Sequence, residues 1–370
     1  MGRLLISKKS IRSNKVLRGI QKEYIKGHKQ VRTRYPKARL GKVVKVIDSQ
    51  VIDCTLANNK DQLAHEGIIN DALTKNEILE RIQRADIKGL SGSGFPTIQK
   101  IEALLSAKVA HKYLVINAVA CDPGLLHDTW LIQNKCEDIK KAVQILNRLV
   151  SFEKVVLATP DSVPCRYPMG EEKTLIKQLF GTELTKEDIP AEKGFLVFNL
   201  QTTYAIYKVF YDEAELRSRY ITVANLETGV ASVVKTYIGQ PVSEVLQVVS
   251  ASTVLGVKKM INTGKNIYVG MGIMDAEDYS EQMVISEQTG FIGIGEAAEY
   301  HNEAKCKGCG ACTRKCPKGI DVKRIIRSIE KGDLSNLEAY GMDQCIHCGT
   351  CSYFCRAGKN TMEIMMKVRG

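Results

Sequence analysis

The last 65 residues of the chain contain one cysteine spacing twice, and this repeat is the strongest constraint on the fold. Each copy reads C-x2-C-x2-C-x3-C, first as "CKGCGACTRKCP" from Cys306 and then as "CIHCGTCSYFCR" from Cys345. Three cysteines at two-residue gaps let a tight loop bind most of one iron–sulfur cluster, and a distant cysteine supplies the fourth thiolate. The sequence therefore predicts two [4Fe-4S] clusters, with the ligands Cys306, Cys309, Cys312, Cys316, Cys345, Cys348, Cys351 and Cys355.

The fourth cysteine of each copy is expected to ligate the cluster of the other copy, as it does in two-cluster ferredoxins. The expected sets are Cys306, Cys309 and Cys312 with Cys355, and Cys345, Cys348 and Cys351 with Cys316. Structural zinc is the alternative, but zinc sites usually show two separated C-x2-C pairs or a mixture of cysteine and histidine. The tight quartets favour the clusters.

The residues around and between the quartets fit a small helical domain. Gly308, Gly310 and Gly349 give the loops the backbone freedom that they need. Between the copies, "DVKRIIRSIEKG" begins with Asp321 as a possible helix cap. The apolar stripe of this segment is Val322, Ile325, Ile326 and Ile329. We therefore expect a C-terminal helical dicluster ferredoxin domain at residues 305–370.

The positive charge of the chain is concentrated at its N-terminus. The net charge is +12, and residues 1–45 alone contain fifteen Lys or Arg and one acid, Glu23. We expect a basic arm at residues 1–50, either a solvated extension or a docking segment for an acidic partner, an anionic membrane surface or nucleic acid. Nucleic acid is disfavoured, because the aromatic residues of the arm are only Tyr24 and Tyr35 and no known reading motif is present.

The sequence lacks the signals of a secreted or membrane-spanning protein. No apolar run approaches the roughly 18 residues of a membrane helix. The N-terminal residues lack the apolar stretch and cleavage site of a secretory signal. We therefore expect a cytoplasmic protein, in which thiols stay reduced and clustered cysteines indicate metal or redox chemistry.

Short Val/Ile/Leu-rich runs alternate with helical stretches in the residues before the quartets. The runs "KYLVINAV" (112–119), "EKVVLATP" (153–160) and "KGFLVFNL" (193–200) are typical of buried strands. Helical stretches at 138–150 and 170–181 separate them. The alternation predicts an α/β Rossmann-like domain whose parallel sheet has helices on both faces. Such sheets bind ligands at the carboxyl ends of their strands.

Four segments fall where that sheet would bind a ligand. "GLSGSGFPT" (89–97) precedes a helical stretch, and its glycines let a phosphate approach backbone N–H groups. "NAVACDPG" (117–124) and "FNLQT" (198–202) each follow a strand, and "YPMGEEKTLI" (167–176) is a loop that leads into a helix. The glycine-rich turn alone is a weak signal, because a turn that merely packs tightly would look the same.

In this order, with the double quartet behind them, the four segments resemble a known family. Over roughly residues 85–370 the chain is similar to the C subunit of the Rnf electron-transport complex and its soluble relatives, and "NAVACDPGLLHDTWLI" is most similar to the proline-reductase-associated branch. It is more distantly similar to the NADH-binding flavoprotein subunit of respiratory complex I. The resemblance implies an α/β flavin domain at 51–216, an SLBB-like β-grasp domain at 217–285, a linker at 286–304 and then the ferredoxin domain.

The resemblance also implies an FMN site with an NADH site beside it. Backbone amides of the glycine-rich turn would hold the flavin phosphate, and Asn and Thr side chains its polar edge. Tyr167, Glu171 and Glu172 match the family loop that lies beside flavin and nicotinamide. The implied cofactor-binding residues are Gly89, Gly92, Gly94, Phe95, Pro96, Asn117, Tyr167, Glu171, Glu172, Asn199 and Thr202. No residue is expected to act as a catalytic acid or base.

Two departures from the family pattern leave two functions open. The glycine turn, G-x-G-G-A-G-F-P-T in relatives, reads "GLSGSGFPT" here with one glycine fewer, and Ala120 stands where relatives have a glutamate. The first function is an oxidoreductase that passes electrons from NADH through FMN and two clusters to a protein acceptor such as a terminal reductase, for example proline reductase. The alternative is a nucleotide-free adaptor that carries electrons between a ferredoxin or Rnf-type donor and a reductase.

Overall fold

The computed structural model describes residues 73–369 and the strand residues 45–46 and 52–53. Short gaps in this description lie at 92–93, 120–124, 161, 164–166, 186, 214–215, 228–229, 252–254, 256, 259–260, 262–266, 275 and 296–299. The basic arm expected at 1–50 therefore lies outside the described residues except for 45–46. Within the described part of the chain, no helix combines the length and the apolar character needed to cross a membrane.

The secondary structure begins with two short strands and then alternates between helices and strands. The strands are β1 (Lys45–Val46), β2 (Ile52–Asp53), β3 (Tyr113–Asn117), β4 (Lys154–Ala158), β5 (Phe195–Asn199), β6 (Ser218–Asn225), β7 (Val230–Tyr237), β8 (Ile267–Gly270), β9 (Glu277–Asp278) and β10 (Phe291–Ile294). The helices are α1 (Lys75–Arg84), α2 (Thr97–Ser106), α3 (His127–Asn134), α4 (Cys136–Leu149), α5 (Glu172–Phe180), α6 (Leu200–Tyr211), α7 (Val242–Ala251), α8 (Ala311–Lys315), α9 (Val322–Glu330), α10 (Thr350–Tyr353) and α11 (Thr361–Arg369). Short 3-10 turns lie at Pro190–Lys193, Glu338–Tyr340 and Met342–Gln344.

Strands β3, β4 and β5 form a parallel sheet in the order β4-β3-β5. They coincide with the three apolar runs of the sequence. Leu114 and Ile116 of β3 enter a core that α1, α2, α4 and α6 complete, whereas Val115 enters a second core with α5. Because successive side chains of a strand point to opposite faces, helices must cover both faces of this sheet. The α/β domain expected from the sequence is confirmed.

A second, mixed sheet follows in the chain. Its order is β7-β6-β10-β8-β9, and both β1 and β2 pair with the outer side of β7. The β6–β7 pair is antiparallel, whereas β10 runs parallel to β6. Helix α7 covers one face of the sheet through Val242, Val245 and Val249. The other face contributes Val233 and Phe291 to the core that also holds Leu114, so the two sheets share one apolar core.

The second sheet differs from the segment boundaries that the family resemblance implies. Strand β10 lies at the centre of the sheet, although it falls within the expected linker at 286–304. Gly293 and Gly295 interrupt the apolar run there. Because glycine is depleted in strands, this sequence pattern does not predict a strand. Strands β1 and β2, from the expected arm and the expected α/β segment, also belong to this sheet.

The C-terminal part of the chain is small and helical, as the sequence predicts. The Asp321 carboxylate accepts a hydrogen bond from the Arg324 N–H at 3.2 Å and caps α9. Val322, Ile325 and Ile326 of this helix are buried in a core that also includes side chains of α11. This core is separate from those of the two sheets, which together with their helices make up the body of the molecule (residues 73–295).

Leu104 and Leu105 on α2 provide a matched test of the core around the parallel sheet. Leu104 is fully buried, whereas Leu105 is 37% exposed. We expect Leu104→Ala to lower the free energy of unfolding by about 2–5 kcal/mol, because it removes buried methyl groups and leaves a cavity. Leu105→Ala should cost less than about 1 kcal/mol. Urea unfolding of both variants measures the two losses, and equal losses would contradict this orientation of α2.

Candidate functional site

The structure brings the four sequence segments together at the carboxyl ends of β3 and β5. The strand register places Asn117 opposite Asn199. The backbone N–H of Leu90, in the glycine-rich turn, donates to Thr202 Oγ1 at 3.0 Å. Asn117 Nδ2 donates to the carbonyl of Gly170 at 2.9 Å. Residues 89–91, 94–97, 117–119, 167–172 and 199–202 therefore lie together in the fold, and we call this region the strand-end site.

The two asparagines use their side chains to fix the backbone of the strand-end site. Asn117 Oδ1 accepts from the Val119 N–H at 3.0 Å, and Asn199 Oδ1 accepts from the Gln201 N–H at 2.9 Å, capping α6. Asn199 Nδ2 donates to the Asp128 carboxylate at 3.3 Å and to the Asn117 carbonyl at 3.5 Å. The two strand ends are thus held together by the residues that the sequence assigns to flavin contacts.

The glycine-rich turn closes on itself and leads directly into α2. The Gly89 N–H donates to the Phe95 carbonyl at 2.8 Å, and Gly94 has a φ of +58°, which favours glycine. Phe95 is 43% exposed, and Pro96 precedes the helix. Gly92 lies outside the described residues. The Thr97 N–H donates to the Ile87 carbonyl at 2.8 Å, and the turn brings the N-terminus of α2 to the strand-end site.

Thr97, at the first turn of α2, has the chemistry of a phosphate contact. Its side chain is 1% exposed, and its hydroxyl has no hydrogen-bond partner among the residues that the structure describes. Within the same residues, no side chain caps α2. Unsatisfied donors at a helix N-terminus are satisfied by an anion such as a phosphate, so the site fits the phosphate of a flavin nucleotide. The sequence reading missed Thr97, although it ends the quoted glycine motif.

The two acids at the start of α5, its cap Glu171 and its first residue Glu172, are paired with lysines. Glu172 accepts from Lys100 Nζ at 3.1 and 3.0 Å through its two carboxylate oxygens. Glu171 accepts from the Thr174 N–H at 2.9 Å as the cap of α5, and from Lys318 Nζ at 3.3 Å. Burial disfavours the ionised form, but the hydrogen bonds from Thr174 and the charge of Lys318 outweigh it and lower the pKa of Glu171. Both lysines were missed in the sequence.

Tyr167, the remaining residue of this loop in the predicted set, is half-buried. It packs against both cores of the parallel sheet. The structure therefore places it at the strand-end site, on the side of α5.

A buried group of charged side chains adjoins the strand-end site at the start of α3. Asp128 accepts the hydrogen bond from Asn199, and Arg219 of β6 donates to the Leu90 carbonyl at 3.3 Å. Burial raises the pKa of Asp128 to about 7, although Asn199 and Arg219 act in the opposite direction. Burial also lowers the pKa of His127 to about 3, so its ring is neutral at ordinary pH. These side chains link the strand-end site to the second sheet.

The cysteines of the two quartets line two hollows. One hollow is lined by the first cysteine set, Cys306, Cys309, Cys312 and Cys355. The other is lined by the second cysteine set, Cys316, Cys345, Cys348 and Cys351. Each set takes three cysteines from one quartet and the fourth from the other, which is the crossed arrangement described for two-cluster ferredoxins. Ligation by these residues stays a prediction.

The loops around the cysteines fit the chemistry of an iron–sulfur cluster. Gly308 and Gly310 both have a φ of +66°, and His347, which takes the place of Gly308 in the second copy, has a φ of +57°. The Gly308 N–H donates to Cys306 Sγ at 3.4 Å. Burial raises the pKa of Cys312 to about 11. A thiolate at this buried position requires a neighbouring cation to stabilise its negative charge, and cluster iron would provide one.

The second cysteine set is the one that adjoins the body. Lys318, which lines the second hollow, forms the ion pair with Glu171. Gly349, in the wall of the same hollow, lies against the body so closely that a Cβ there would be 3.2 Å from the Met274 carbonyl oxygen. Tyr353 and Phe354 are buried in the core shared by the two sheets. We therefore call the second set inner and the first set outer.

Comparison with known proteins identifies two parts of the chain. Residues 82–164 and 160–208 match the Nuo51 FMN-binding domain, and residues 298–363 match the 4Fe-4S dicluster domain. The chain thus has the cofactor domains of an electron-transfer iron–sulfur protein: an α/β domain of the FMN-binding type and a domain for two [4Fe-4S] clusters. These matches favour clusters over zinc at the cysteine quartets.

Within that class the chain is related to one component of ion-translocating oxidoreductases. It is 25% identical to the C subunit of the ion-translocating oxidoreductase complex of Pasteurella multocida, over 85% of this chain and 41% of that protein. It is 27% identical to the C subunit of the same complex of Rhodobacter capsulatus, over 72% of this chain and 54% of that protein. The chain is thus a distant relative of these proteins and spans about half the length of the curated relatives that it matches.

The fold is also similar to that of a larger oxidoreductase. A chain in the crystal structure of an NAD⁺-reducing [NiFe]-hydrogenase in the H2-reduced state superposes with a TM-score of 0.57, over 87% of this chain and 66% of that one. The two chains are 15% identical, so the similarity establishes the fold alone.

Paired cysteine substitutions test the crossed ligation. Cys345→Ala removes one ligand of the inner set, and we expect it to leave one cluster, about four iron atoms per chain. Adding Cys316→Ala should cost no further iron, because both cysteines serve the inner cluster. Adding Cys355→Ala instead should remove the second cluster as well. Iron content and the spectrum of the anaerobic protein distinguish these variants, and uncrossed ligation would reverse the two outcomes.

The buried Asp128 predicts a pH dependence of stability. Its pKa is raised from the ordinary 3.8 to about 7 on folding, so ionisation destabilises the folded protein progressively across that range. Asn does not ionise, so the free energy of unfolding of Asp128→Asn relative to the wild type should rise with pH and then level off. His127 acts in the opposite direction but is common to both proteins. Urea unfolding between about pH 4 and 8 measures the difference, and a constant difference would contradict the burial of Asp128.

Proposed function

We propose that this chain is an electron-transferring oxidoreductase component that carries electrons from NADH through FMN and two [4Fe-4S] clusters to a protein acceptor. The observation that supports this most directly is the contact between the two redox parts: Lys318, beside the inner cysteine set, pairs with Glu171 of the strand-end site at 3.3 Å. When bound, FMN would accept a hydride from NADH and release the electrons one at a time.

In this proposal, residues at the start of α2 hold the phosphate of FMN. The backbone N–H groups of α2 after Thr97 and the buried hydroxyl of Thr97 would supply donors where the helix dipole favours an anion. Gly89, Phe95 and Pro96 shape the turn, and Gly92 is proposed with them as a cofactor-binding residue. Asn117, Asn199 and Thr202 keep the strand ends in place and would help to form the flavin site.

The loop before α5 would hold NADH. A carboxylate has about four acceptor positions. Glu171 and Glu172 can therefore each accept a hydrogen bond from a ribose hydroxyl while they stay bonded to their lysines. Tyr167 provides an aromatic wall to the same loop. Electrons would then pass to the inner cluster, beside Lys318, and from there to the outer cluster.

We further propose that the second sheet is an SLBB-like β-grasp module that joins the strand-end site to the ferredoxin domain. Its strand order, with β6 parallel to β10 and α7 crossing between β7 and β8, supports this assignment. We also propose a cytoplasmic location and assembly with a redox partner, an Rnf-type complex or a terminal reductase, in line with the related C subunits of ion-translocating oxidoreductase complexes.

A nucleotide-free adaptor is the second candidate function. It is favoured by the lysines that already neutralise both acids of the loop, and by Ala120 in the place of a family glutamate. In that case the strand-end site would be a docking scaffold, and both clusters would receive electrons from a donor protein.

Flavin content and NADH reduction decide between the two functions. We expect protein purified without oxygen to release about one FMN per chain on acid extraction, and its cluster absorbance to bleach on addition of NADH. Thr97→Val should weaken FMN binding about tenfold, because it removes a hydrogen bond to a charged group. Thr97→Ser is the matched control and should bind FMN as the wild type does. Intact clusters with no flavin and no response to NADH would overturn the proposal in favour of the adaptor.

A further inference from the structure

The residues around the outer cysteine set carry a concentrated positive charge. Residues 305–331 contain nine Lys or Arg and two acids, a balance of +7. Both acids are engaged within the domain. Asp321 caps α9 and lies 3.3 Å from Arg324. Glu330 accepts from the Cys306 N–H at 3.0 Å and pairs with the buried Lys359 at 3.0 Å. Lys318 faces the body and pairs with Glu171 at 3.3 Å, and the remaining positive charge of this stretch is left largely unbalanced.

Four exposed basic side chains surround the mouth of the outer hollow, and we call them the basic collar: Lys307, Arg314, Arg327 and Arg356. Lys307 and Arg356 line the hollow itself. Arg314 donates to the Cys309 carbonyl at 3.0 Å. The Arg327 guanidinium lies 3.6 Å from the place of a Cβ on Gly308. The collar thus sits on the cysteine loop of the outer set, within direct reach of a bound partner.

The charge changes sign between the two cysteine sets. Residues 332–351, which carry three of the four cysteines of the inner set, contain three acids and no Lys or Arg. The inner set is also the one packed against the body through Lys318 and Gly349. The ferredoxin domain is therefore polarised, with its basic side at the outer cluster and its less basic side at the body.

We propose that the basic collar docks an acidic electron-transfer protein, which exchanges single electrons with the outer cluster. This inference rests on the proposed function only in taking the outer cluster as the end of the electron path. One electron leaves the reduced cluster and reduces the centre of the partner, and no bond forms or breaks. Opposite charges around two redox centres speed their encounter and orient them, whereas the acidic stretch of the inner set would repel the same partner.

A matched pair of acceptors tests the collar. Holoprotein is reduced with dithionite, freed of excess reductant and mixed without oxygen with native cytochrome c, which is basic, or with succinylated cytochrome c, which is acidic. We expect the acidic acceptor to be reduced about tenfold faster at low ionic strength, and the advantage to vanish at about 0.5 M salt. A faster reaction with the basic acceptor, or no effect of salt, would overturn the proposal.

Charge-reversal variants assign the effect to the collar. Lys307→Glu with Arg327→Glu should slow reduction of the acidic acceptor about tenfold and speed that of the basic one. The control, Lys75→Glu with Lys108→Glu, makes the same charge change at exposed positions of the body and should leave both rates unchanged. Iron content and the midpoint potentials are measured in parallel. Wild-type rates in the collar variant, or a potential shift that alone explains its lost rate, would contradict docking at the collar.

The test is independent of the NADH reaction. Dithionite supplies the electrons, so the collar can be verified in protein that contains no flavin. Failure of NADH to reduce the clusters would overturn the proposed function and leave the docking result standing. Loss of the charge preference with intact NADH reduction would overturn only the collar.

Discussion

The ion pair between Lys318 and Glu171 joins the two redox parts of the molecule, and the proposed electron path depends on it. About a quarter of each side chain is exposed (28% and 25%), so solvent screens this pair less than a fully exposed one. Glu171 also caps α5, and Lys318 also lines the inner cysteine set. One contact thus fixes the position of a cluster loop relative to the strand ends, while Met274 and the buried Tyr353 and Phe354 supply the apolar part of the junction.

The same lysines constrain how a nucleotide can bind. Lys100 and Lys318 neutralise two acids that would otherwise repel the phosphates of a dinucleotide. They also occupy part of the acceptor capacity that a ribose would use. The lysines therefore agree with either function of the strand-end site, nucleotide binding or docking of a donor protein. The buried Thr97 hydroxyl at the start of α2 is the feature that favours nucleotide binding.

Local patterns in the sequence predict most of the helices and strands, but they do not predict the long-range contacts between them. The three strands of the parallel sheet, the helix after Asp321 and the grouping of the glycine-rich turn with the strand ends follow from periodicity and spacing. The central strand β10 was missed, because its glycines weaken the strand pattern. Lys318 and Arg219 could not be assigned, since each acts on a residue more than a hundred positions away, Glu171 and Leu90. Such long-range pairs leave no local signal.

The most direct test of the account is a single turnover of FMN-loaded protein with NADH in the absence of oxygen, recorded at the absorption of the flavin and of the clusters. If electrons pass within one chain, the clusters should bleach after the flavin at a rate that does not change with protein concentration. A bleaching rate proportional to protein concentration, or reduced flavin beside clusters that stay oxidised, would contradict the path through Lys318 and Glu171.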